Sequence, residues 1–291
     1  MQTSLTQVID RYTPDEGTYK TPLDGLNLYS AQQPMPRTPL CYVPTICVVA
    51  QAGKRIYVGE RYYDYDPHNY LINAVAMPVE AEIRDASTEY PYLGLSLELD
   101  RYIISELILE MDAYDHQPAE PRPELINAVS LTVDLASAFR RLIECSQQPM
   151  DCAVMATVIK REIFYQVLKG PQGGMLRNCM ANHSGANRVA PVIHFIEQNF
   201  QQPLGIDELA NVAGMSASTL HEHFKQATTL SPMQYVKSLR LHQARTLLLS
   251  GCQAAEACWQ VGYTSPSQFS REFKRFFGEL PRDVQQLVQG G

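Results

Sequence analysis

Short apolar runs rich in Val, Ile and Tyr occupy the first third of the chain and alternate with Gly, Pro and Asp. Runs of this length and composition predict β-strands separated by turns. The predicted strands are residues 40–51, 55–58, 61–64, 70–76, 80–84 and 92–99. Many short strands at close spacing are typical of a small barrel or sandwich.

A helical pattern follows these strands. Apolar residues three and four positions apart predict helices over residues 100–113, 123–145 and 151–168. Their apolar faces suit packing against the strands, and they equally suit pairing with a second copy of the chain. Both interpretations stay open.

Residues 170–187 are small and polar, and the GPQGG run at their start ends the last of these helices. This composition predicts a linker. A chain of 291 residues is long enough for two domains. We therefore expect one domain over residues 1–180 and a second over residues 187–291.

The last third of the chain contains one pattern twice. The first copy reads ELANVAGMSASTLHEHFK and the second reads EACWQVGYTSPSQFSREFK, with an offset of 48 at the glycine and 49 at the last phenylalanine. Each copy predicts a short helix, a glycine turn and a longer helix. This is the helix-turn-helix arrangement, whose second helix lies in the major groove of DNA.

Capping residues mark where the second helix of each copy begins and ends. Ser265 is a good N-cap, Pro266 suits the first helical position, and Gln268 completes a predicted capping box. Ser216 has the same capping role in the first copy, and Gly278 ends the second.

The outward faces of these two helices supply the candidate DNA-contacting residues. In the first copy they are Ala217, Ser218, His221, Glu222 and Lys225. In the second they are Ser267, Gln268, Arg271, Lys274 and Arg275, and Arg240 is a further candidate between the copies. Arginine and glutamine pair in bidentate fashion with guanine and adenine, and clustered cations bind phosphates. The alternative is an ordinary exposed helix face.

Two candidate residues of the first copy have more than one interpretation. Glu222 either accepts a hydrogen bond from a cytosine amino group or points away from the DNA and only solvates the helix. The His221-Glu222-His223 run resembles a metal motif, but side chains two apart on a helix diverge by about 200° and cannot share one ion. We expect His223 to fill space near the helix that follows.

That helix is predicted between the two copies. Ser231-Pro232 begins it by the same capping logic, and Gly251 ends it. A straight helix of this size spans about 27 Å, close to the roughly 34 Å that separate successive major grooves on one face of B-DNA. A stiff connector of this length would place the second helix of each copy on the same side of a DNA duplex.

Residues 190–288 resemble the DNA-binding domain of AraC/XylS-type bacterial transcription regulators. The resemblance rests on DELANVAGMSASTLHEHFK, LSPMQYVKSLRLHQARTLLL and VGYTSPSQFSREFKRFFGELPRDV. It implies seven helices, two helix-turn-helix units on a linker helix, and double-stranded promoter DNA as the partner, with RNA polymerase as a further candidate. Thr229 departs from the pattern, because a glycine is usual before the Ser-Pro pair.

Residues 20–115 resemble the cupin-like N-terminal domain of one AraC subgroup, through TPLDGLNLY, AQAGKRIYVGE, YLINAVAMPVEAEI and PYLGLSLELD. The expected fold class is therefore α+β: a cupin-like β-barrel with trailing helices, then an all-α domain with two helix-turn-helix units. The resemblance also implies that the first domain senses a small-molecule effector and that the helices after the barrel pair two copies into a homodimer.

The candidate effector-binding residues are tyrosines that supply apolar rings with hydroxyl groups: Tyr42, Tyr57, Tyr70 and Tyr92. The alternative is that these rings are half-buried residues of a packed sheet. Before residue 180 the chain has only His68 and His116, so we predict no metal, no cofactor and no enzymatic activity. A cupin enzyme, and an adaptor that uses its helix-turn-helix units on another protein, are the two competing functions.

Charge, cysteine content and the absence of long apolar runs indicate the kind of compartment to expect for the protein. The chain carries a net charge of −7, divided into about +1 over residues 187–291 and −8 before them. The seven cysteines include no C-x-x-C pair, which argues against a disulfide framework or a zinc site, and we expect Cys41 and Cys47 to be buried and unreactive. Without a signal-peptide pattern or an apolar run long enough to span a bilayer, we expect a cytoplasmic protein with no membrane partner.

Overall fold

The structure is a computed structural model that describes residues 3–59, 61–114, 126–180 and 189–289. Its first part consists mainly of short strands. The elements in chain order are α1 (Leu5–Tyr12), β1 (Gly17–Lys20), β2 (Leu26–Ala31), β3 (Met35–Tyr42), β4 (Thr45–Gln51), β5 (Lys54–Val58), β6 (Arg61–Tyr65), β7 (Asn69–Asn73), β8 (Met77–Ile83), β9 (Tyr92–Glu98), α2 (Arg101–Tyr114), β10 (Ile126–Ser130), α3 (Val133–Ser146), α4 (Pro149–Lys169) and α5 (Gly173–Met180).

The strands form two antiparallel sheets around one core. Six strands follow the order β1-β2-β9-β4-β7-β10, and four follow the order β3-β8-β5-β6. Ile46 of the larger sheet and Ile56 of the smaller sheet are both fully buried in this core. The β-rich domain followed by helices confirms the predicted fold class.

The prediction of one strand over residues 40–51 is wrong in one respect, because the chain changes sheet within it. β3 pairs with β8, whereas β4 pairs with β7 and β9. The break falls at Val43-Pro44, where Pro44 has no backbone N–H to donate to a ladder. The sequence pattern also missed α1, β1 and β2, which are all eight residues long or shorter.

The predicted helix over residues 123–145 is wrong in its first part. Within the described residues, Ile126–Ser130 form strand β10, which pairs with β7 at the sheet edge, and the helix begins only at Val133. Thr132 caps that helix by accepting from the Leu135 N–H. A five-residue segment takes either conformation, so pairing with β7 decides it here.

The helix predicted over residues 151–168 is confirmed and begins slightly earlier, at Pro149, with its end at Gly170. Helix α5 then occupies Gly173–Met180. The prediction of a linker beginning at residue 170 is therefore wrong as far as residue 180, and its remainder, residues 181–188, lies outside the described residues.

Helices make up the rest of the described chain. They are α6 (Val189–Asn199), α7 (Ile206–Ala213), α8 (Ala217–Thr228), α9 (Pro232–Leu249), α10 (Ala254–Gln260), α11 (Pro266–Phe277) and α12 (Pro281–Gln289). Residues 189–289 thus contain the seven helices that the family resemblance implies. No helix in the described ranges is long and apolar enough to span a bilayer.

Two hydrophobic clusters stabilise the molecule, and they do not coincide with the two predicted domains. The first runs from the β-sheets through α6, α7 and α8 to Leu239 in the middle of α9. The second begins at Leu241 and includes α10, α11 and Val284 of α12. The first helix-turn-helix unit therefore shares a core with the barrel, while the second has a core of its own.

Candidate nucleic-acid interface and barrel cavity

The first helix-turn-helix unit consists of α7, a turn and α8. Gly214 ends α7 with φ +61°, a left-handed conformation that glycine adopts without strain. Ser216 caps α8 by accepting from the Thr219 N–H at 3.2 Å. Leu220 and Phe224 are both fully buried, so the cap and the apolar stripe confirm the prediction for this helix.

The second unit consists of α10, a turn and α11. Ser265 accepts from the Gln268 N–H at 3.3 Å, and Pro266 occupies the first turn. The side chain of Gln268 does not complete the predicted capping box; it donates instead to Glu272 Oε1 at 3.3 Å. Gly278 ends α11 with φ +82°.

Helices α8 and α11 both expose their candidate DNA-contacting faces to solvent. On α8, Ala217 is half-buried, and the exposed candidates are Ser218, His221, Glu222 and Lys225. On α11 the candidates are all exposed: Ser267, Gln268, Arg271, Lys274 and Arg275. None of the three α11 cations forms an ion pair with another described residue, so their charges are available to an anionic partner.

His223 is not where the sequence predicted it. Its side chain is exposed, because Phe224 takes the inward position next to it and packs edge-to-face on Tyr235 at 5.4 Å. Within the described residues no group of three or more His, Cys, Asp or Glu side chains is arranged to hold a metal ion.

The guanidinium of Arg240, the candidate on α9, makes contacts within the protein. It donates to the carbonyls of Phe200 at 2.6 Å and Gln202 at 2.7 Å. The intervening Gln201 carbonyl lies against Gly262, where an added Cβ would approach it to 2.3 Å. Arg240 and Gly262 thus hold the loop after α6 between the two helix-turn-helix units.

Helix α9 connects the two units. Its 18 residues correspond to about 27 Å, and Ser231 and Gln234 form a capping box at its start. Nine of its side chains are buried, so tertiary packing on several sides holds the helix in place. The connector expected from the sequence is present at the expected length.

Specific contacts join the barrel to α6, to α9 and to the end of α8. The Ala76 N–H donates to Glu197 Oε1 of α6 at 3.0 Å, and the buried hydroxyl of Tyr235 donates to the Ala76 carbonyl. Gly59, in the β5–β6 turn, lies so close to Thr229 that an added Cβ would reach Thr229 Oγ1 at 2.5 Å. The C-terminal end of α8 therefore rests directly on the barrel.

A cavity of about 230 Å³ lies within the β-rich domain. Strands of both sheets contribute to its walls. The lining residues are Asn27, Tyr29, Leu40, Cys41, Tyr42, Val43, Thr45, Cys47, Lys54, Tyr65, Tyr92, Leu95, Ser96 and Glu98.

Two of the four candidate tyrosines, Tyr42 and Tyr92, line this cavity, and the other two do not. Tyr57 lies on the outer face of the smaller sheet, where its hydroxyl donates to Glu82 Oε2 at 2.6 Å. Tyr70 faces away because it pairs with Val48, whereas the cavity residue Cys47 pairs with Leu71. Side chains directly opposite each other share a face, so strand register decides which tyrosine enters.

Lys54 and Tyr65 also line the cavity, although the sequence did not predict them. Each lies one residue outside a predicted strand, 55–58 for Lys54 and 61–64 for Tyr65. The available signal was the alternation along β5, where Lys54 has the same parity as Ile56 and Val58, both buried.

Of the two barrel cysteines, Cys47 is buried as predicted and Cys41 is half-buried. Burial raises the pKa of the Cys41 thiol to about 12 and that of Cys47 to about 11. The nearby Lys54 ammonium opposes the shift at Cys47 but does not overcome it. Both thiols are therefore protonated near neutral pH, and thiols are weak nucleophiles in that form.

Known proteins resemble this chain over both of its parts. A family described as AraC-type transcriptional regulator N-terminus matches residues 22–175, and a helix-turn-helix domain family matches residues 209–286. The HTH-type transcriptional activator RhaS of Escherichia coli O1:K1 is 30% identical over 153 residues, which cover 52% of this chain and 54% of RhaS. The chain thus matches about half the length of this relative.

Solved structures of ToxT from Vibrio cholerae show the same fold at low identity. ToxT of strain O395 bound to (E)-4-(8-methylnaphthalen-1-yl)but-3-enoic acid superposes with a TM-score of 0.64 at 9% identity, over 90% of this chain and 98% of ToxT. Unsaturated fatty acid bound ToxT of strain SCE256 gives 0.62 at 10% identity, over 91% and 96%. With a family match over more than half of its 291 residues, this chain belongs to the AraC-type transcriptional regulators.

Proposed function

We propose that this protein binds double-stranded promoter DNA at specific sequences through α8 and α11 and thereby regulates transcription. The observation that carries the proposal is the pair of capped helices with exposed faces joined by one buried connector helix. RhaS, the relative with a matching segment, is a transcriptional activator, which supports this class of function. Contact with RNA polymerase stays a prediction from the family resemblance.

The two units have different chemistry for this task. The exposed face of α11 carries Arg271, Lys274 and Arg275 with no ion-pair partner among the described residues, and Gln268 beside them. The face of α8 has Lys225 as its cation and the carboxylate of Glu222. Phosphates attract the first set and repel Glu222, so we propose that α11 supplies most of the affinity and that α8 adds selectivity.

Gel-shift affinities of the full chain on an operator selected from random duplexes test this proposal. We expect Arg271→Ala and Gln268→Ala each to weaken specific binding by about 1–3 kcal/mol, the usual contribution of a bidentate base contact. Arg11→Ala, which removes an exposed cation on α1, is the matched control and should leave the affinity unchanged.

Salt dependence separates this proposal from the adaptor alternative. Phosphate contacts release counterions, so specific affinity should fall steeply between about 50 and 200 mM salt. Weak binding without sequence preference and without salt dependence would instead favour a protein partner for the helix-turn-helix units. Unchanged affinity in both the Arg271 and the Gln268 variants would refute our assignment of α11.

We also propose that a small-molecule effector binds in the barrel cavity. The supporting observations are its volume of about 230 Å³ and its lining of rings and hydroxyl groups, the combination of apolar walls and few polar groups found in ligand sites.

A homodimer through α4 is the third part of the proposal. Apolar side chains four positions apart lie exposed along this 21-residue helix: Met150 at 77%, Val154 at 64% and Val158 at 55%. A self-complementary helix face suits a two-fold interface. We expect Val154→Asp to convert a dimer to a monomer in light scattering after gel filtration, while Val212→Asp, at an exposed position of α7, should not.

A further inference from the structure

Lys54 extends into the barrel cavity from the start of β5. In the antiparallel ladders it lies opposite Tyr65 on β6 and Ile83 on β8, and Tyr65 lines the same cavity. Among the described residues no carboxylate lies within ion-pair distance of its ammonium group, and no side chain or carbonyl accepts a hydrogen bond from it.

The neighbours of this ammonium group are aromatic rings. Lys54 Nζ lies 5.4 Å from the ring centroid of Tyr42 and 5.9 Å from that of Tyr92. Such cation–π contacts offset part of the cost of removing a cation from water, but they do not replace an anion. The uncompensated cost is visible in the lysine pKa, which burial lowers from its ordinary value.

Hydroxyl groups surround the same end of the cavity. The hydroxyls of Tyr42 and Tyr65 lie 3.2 Å apart, and the Tyr92 hydroxyl lies over Gly94, where an added Cβ would approach it to 2.6 Å. At another part of the wall, Tyr29 and Ser96 are hydrogen-bonded at 2.8 Å. Tyrosine hydroxyls donate readily to an oxyanion.

We infer that the cavity binds a small organic anion, with one carboxylate paired to Lys54 and hydrogen-bonded by the tyrosine hydroxyls, and with an apolar body against Leu40 and the tyrosine rings. This inference rests on the proposed effector site and specifies its chemistry. An anion in this position supplies the ion-pair partner that the Lys54 ammonium lacks among the described residues, whereas a cationic ligand would be repelled by it.

The size of the cavity limits the body of this ligand. A dry cavity of about 150 Å³ holds benzene, and sites for drug-sized molecules begin near 300 Å³. The cavity of about 230 Å³ therefore fits one ring with a short acidic substituent. Glu98 also lines the cavity but is exposed and forms no ion pair with Lys54 among the described residues, so it leaves the lysine charge unneutralised.

Benzoate and its neutral counterpart benzamide test the inference by isothermal titration calorimetry on the full chain. The two probes have nearly the same shape and differ in charge. We expect benzoate to bind at least about tenfold more tightly than benzamide, since a charge-assisted hydrogen bond is roughly twice as strong as a neutral one. Lys54→Met should remove this preference, and Lys20→Met, which removes an exposed lysine on β1, should preserve it.

Thermal unfolding of the same variants distinguishes ligand binding from a structural role. A lysine kept for ligand binding costs stability in the empty protein, so Lys54→Met should unfold at the same or a higher temperature than the original chain. A lower temperature in both Lys54→Met and Lys54→Gln would indicate a structural role and overturn the inference. Should the methionine variant not fold, Lys54→Gln keeps a polar side chain without the charge and serves the same comparison.

The outcomes separate the inference from the function on which it rests. Equal binding of benzoate and benzamide, or a preference that survives in Lys54→Met, would overturn anion recognition while leaving the effector cavity intact. Binding of neither probe would overturn the cavity as a site for one-ring effectors, and the anion inference with it. Neither result changes the expected DNA binding by α11.

Discussion

His242 is a buried histidine in the middle of the connector helix. It is 7% exposed, and its ring packs edge-to-face against Phe276 at 5.2 Å and Phe277 at 5.3 Å. Its Nε2 atom has no hydrogen-bond partner among the described residues. Burial, with a smaller contribution from Arg245, lowers the pKa of His242 to about 4, so the imidazole is neutral near pH 7.

Because His242 is buried in the neutral form, we expect the free energy of unfolding to decrease on mild acidification. Between pH 6.5 and about 4 the unfolded chain binds a proton at His242 that the folded chain does not, so stability falls as pH falls through this window. The pKa difference corresponds to roughly 3 kcal/mol at most. Chemical unfolding followed by circular dichroism at pH 7 and pH 5 should show this decrease.

His242→Phe keeps the ring contacts and removes the titration, so this variant should lose much less stability between the two pH values. His223→Ala is the matched control because His223 is exposed, and it should behave like the original chain. An undiminished pH dependence in His242→Phe would contradict this account.

The residues that end the helices determine the geometry of the two helix-turn-helix units. Gly214 and Gly278 end α7 and α11 in the left-handed conformation without strain, but α8 ends at Thr229 with φ +65° and ψ −6°. A β-branched residue is rarely found there because its side chain crowds the backbone. The Thr229 hydroxyl is also buried without a hydrogen-bond partner among the described residues.

Thr229→Gly should therefore stabilise the protein. The substitution relieves the left-handed backbone strain and removes the unsatisfied hydroxyl, and both changes stabilise the folded chain. The greater chain entropy of glycine in the unfolded state and the small space left beside Gly59 oppose them. We expect a net increase of about 1 kcal/mol in the free energy of unfolding. Thr228→Gly is the matched control. Thr228 is helical and its hydroxyl donates to the Phe224 carbonyl at 2.8 Å, so this substitution should destabilise the chain. A loss of stability in Thr229→Gly would show that its contact with Gly59 is worth more than the strain.

The whole molecule is organised by its two hydrophobic clusters. The first cluster joins the barrel to α6, α7, α8 and the first half of α9. The proposed effector domain and the first helix-turn-helix unit therefore share one hydrophobic core. Cys41 lines the cavity, and its pKa is raised by burial and, to a smaller extent, by the nearby Glu197 carboxylate. One strand segment thus lies between the cavity and α6.

Tyr235→Phe tests this shared core. The substitution removes a buried hydrogen bond to the Ala76 carbonyl, so we expect a loss of about 1–2 kcal/mol in stability. Hydrogen exchange followed by mass spectrometry should become faster on both sides of the contact, around Ala76 and around Glu197. Tyr263→Phe, whose hydroxyl donates to Glu272 at 2.9 Å within the helical part, should change exchange only near α11. Unchanged exchange around Ala76 in Tyr235→Phe would argue against coupling through this bond.

Local rules account for the parts of the fold that were predicted correctly. The caps at Ser216, Ser231 and Ser265 and the stop at Gly278 each depend on residues within one helical turn, so a short stretch of sequence contains all the required information. The same holds for the length of α9. The exposed faces of α8 and α11 follow from helical periodicity once the buried phenylalanines are identified.

Long-range pairing accounts for the parts that were predicted wrongly or missed. Residues 126–130 are a strand because β7 has an open edge beside them, and Tyr57 and Tyr70 lie outside the cavity because of their parity in the ladders. Arg240 is held by loop carbonyls that lie 38–40 positions earlier in the chain. No local pattern encodes these partners, since each depends on where a distant segment packs.

The sequence by itself determined that the protein has two helix-turn-helix units of the AraC type on a connector of suitable length, because repeats, caps and periodicity act over a few residues. Only the tertiary structure decided that the first unit packs on the barrel and that Lys54, with no ion-pair partner in the described part of the chain, faces the cavity with Tyr42 and Tyr92. Strand register and helix docking bring distant residues together, and the free energy of those contacts depends on the whole chain being folded.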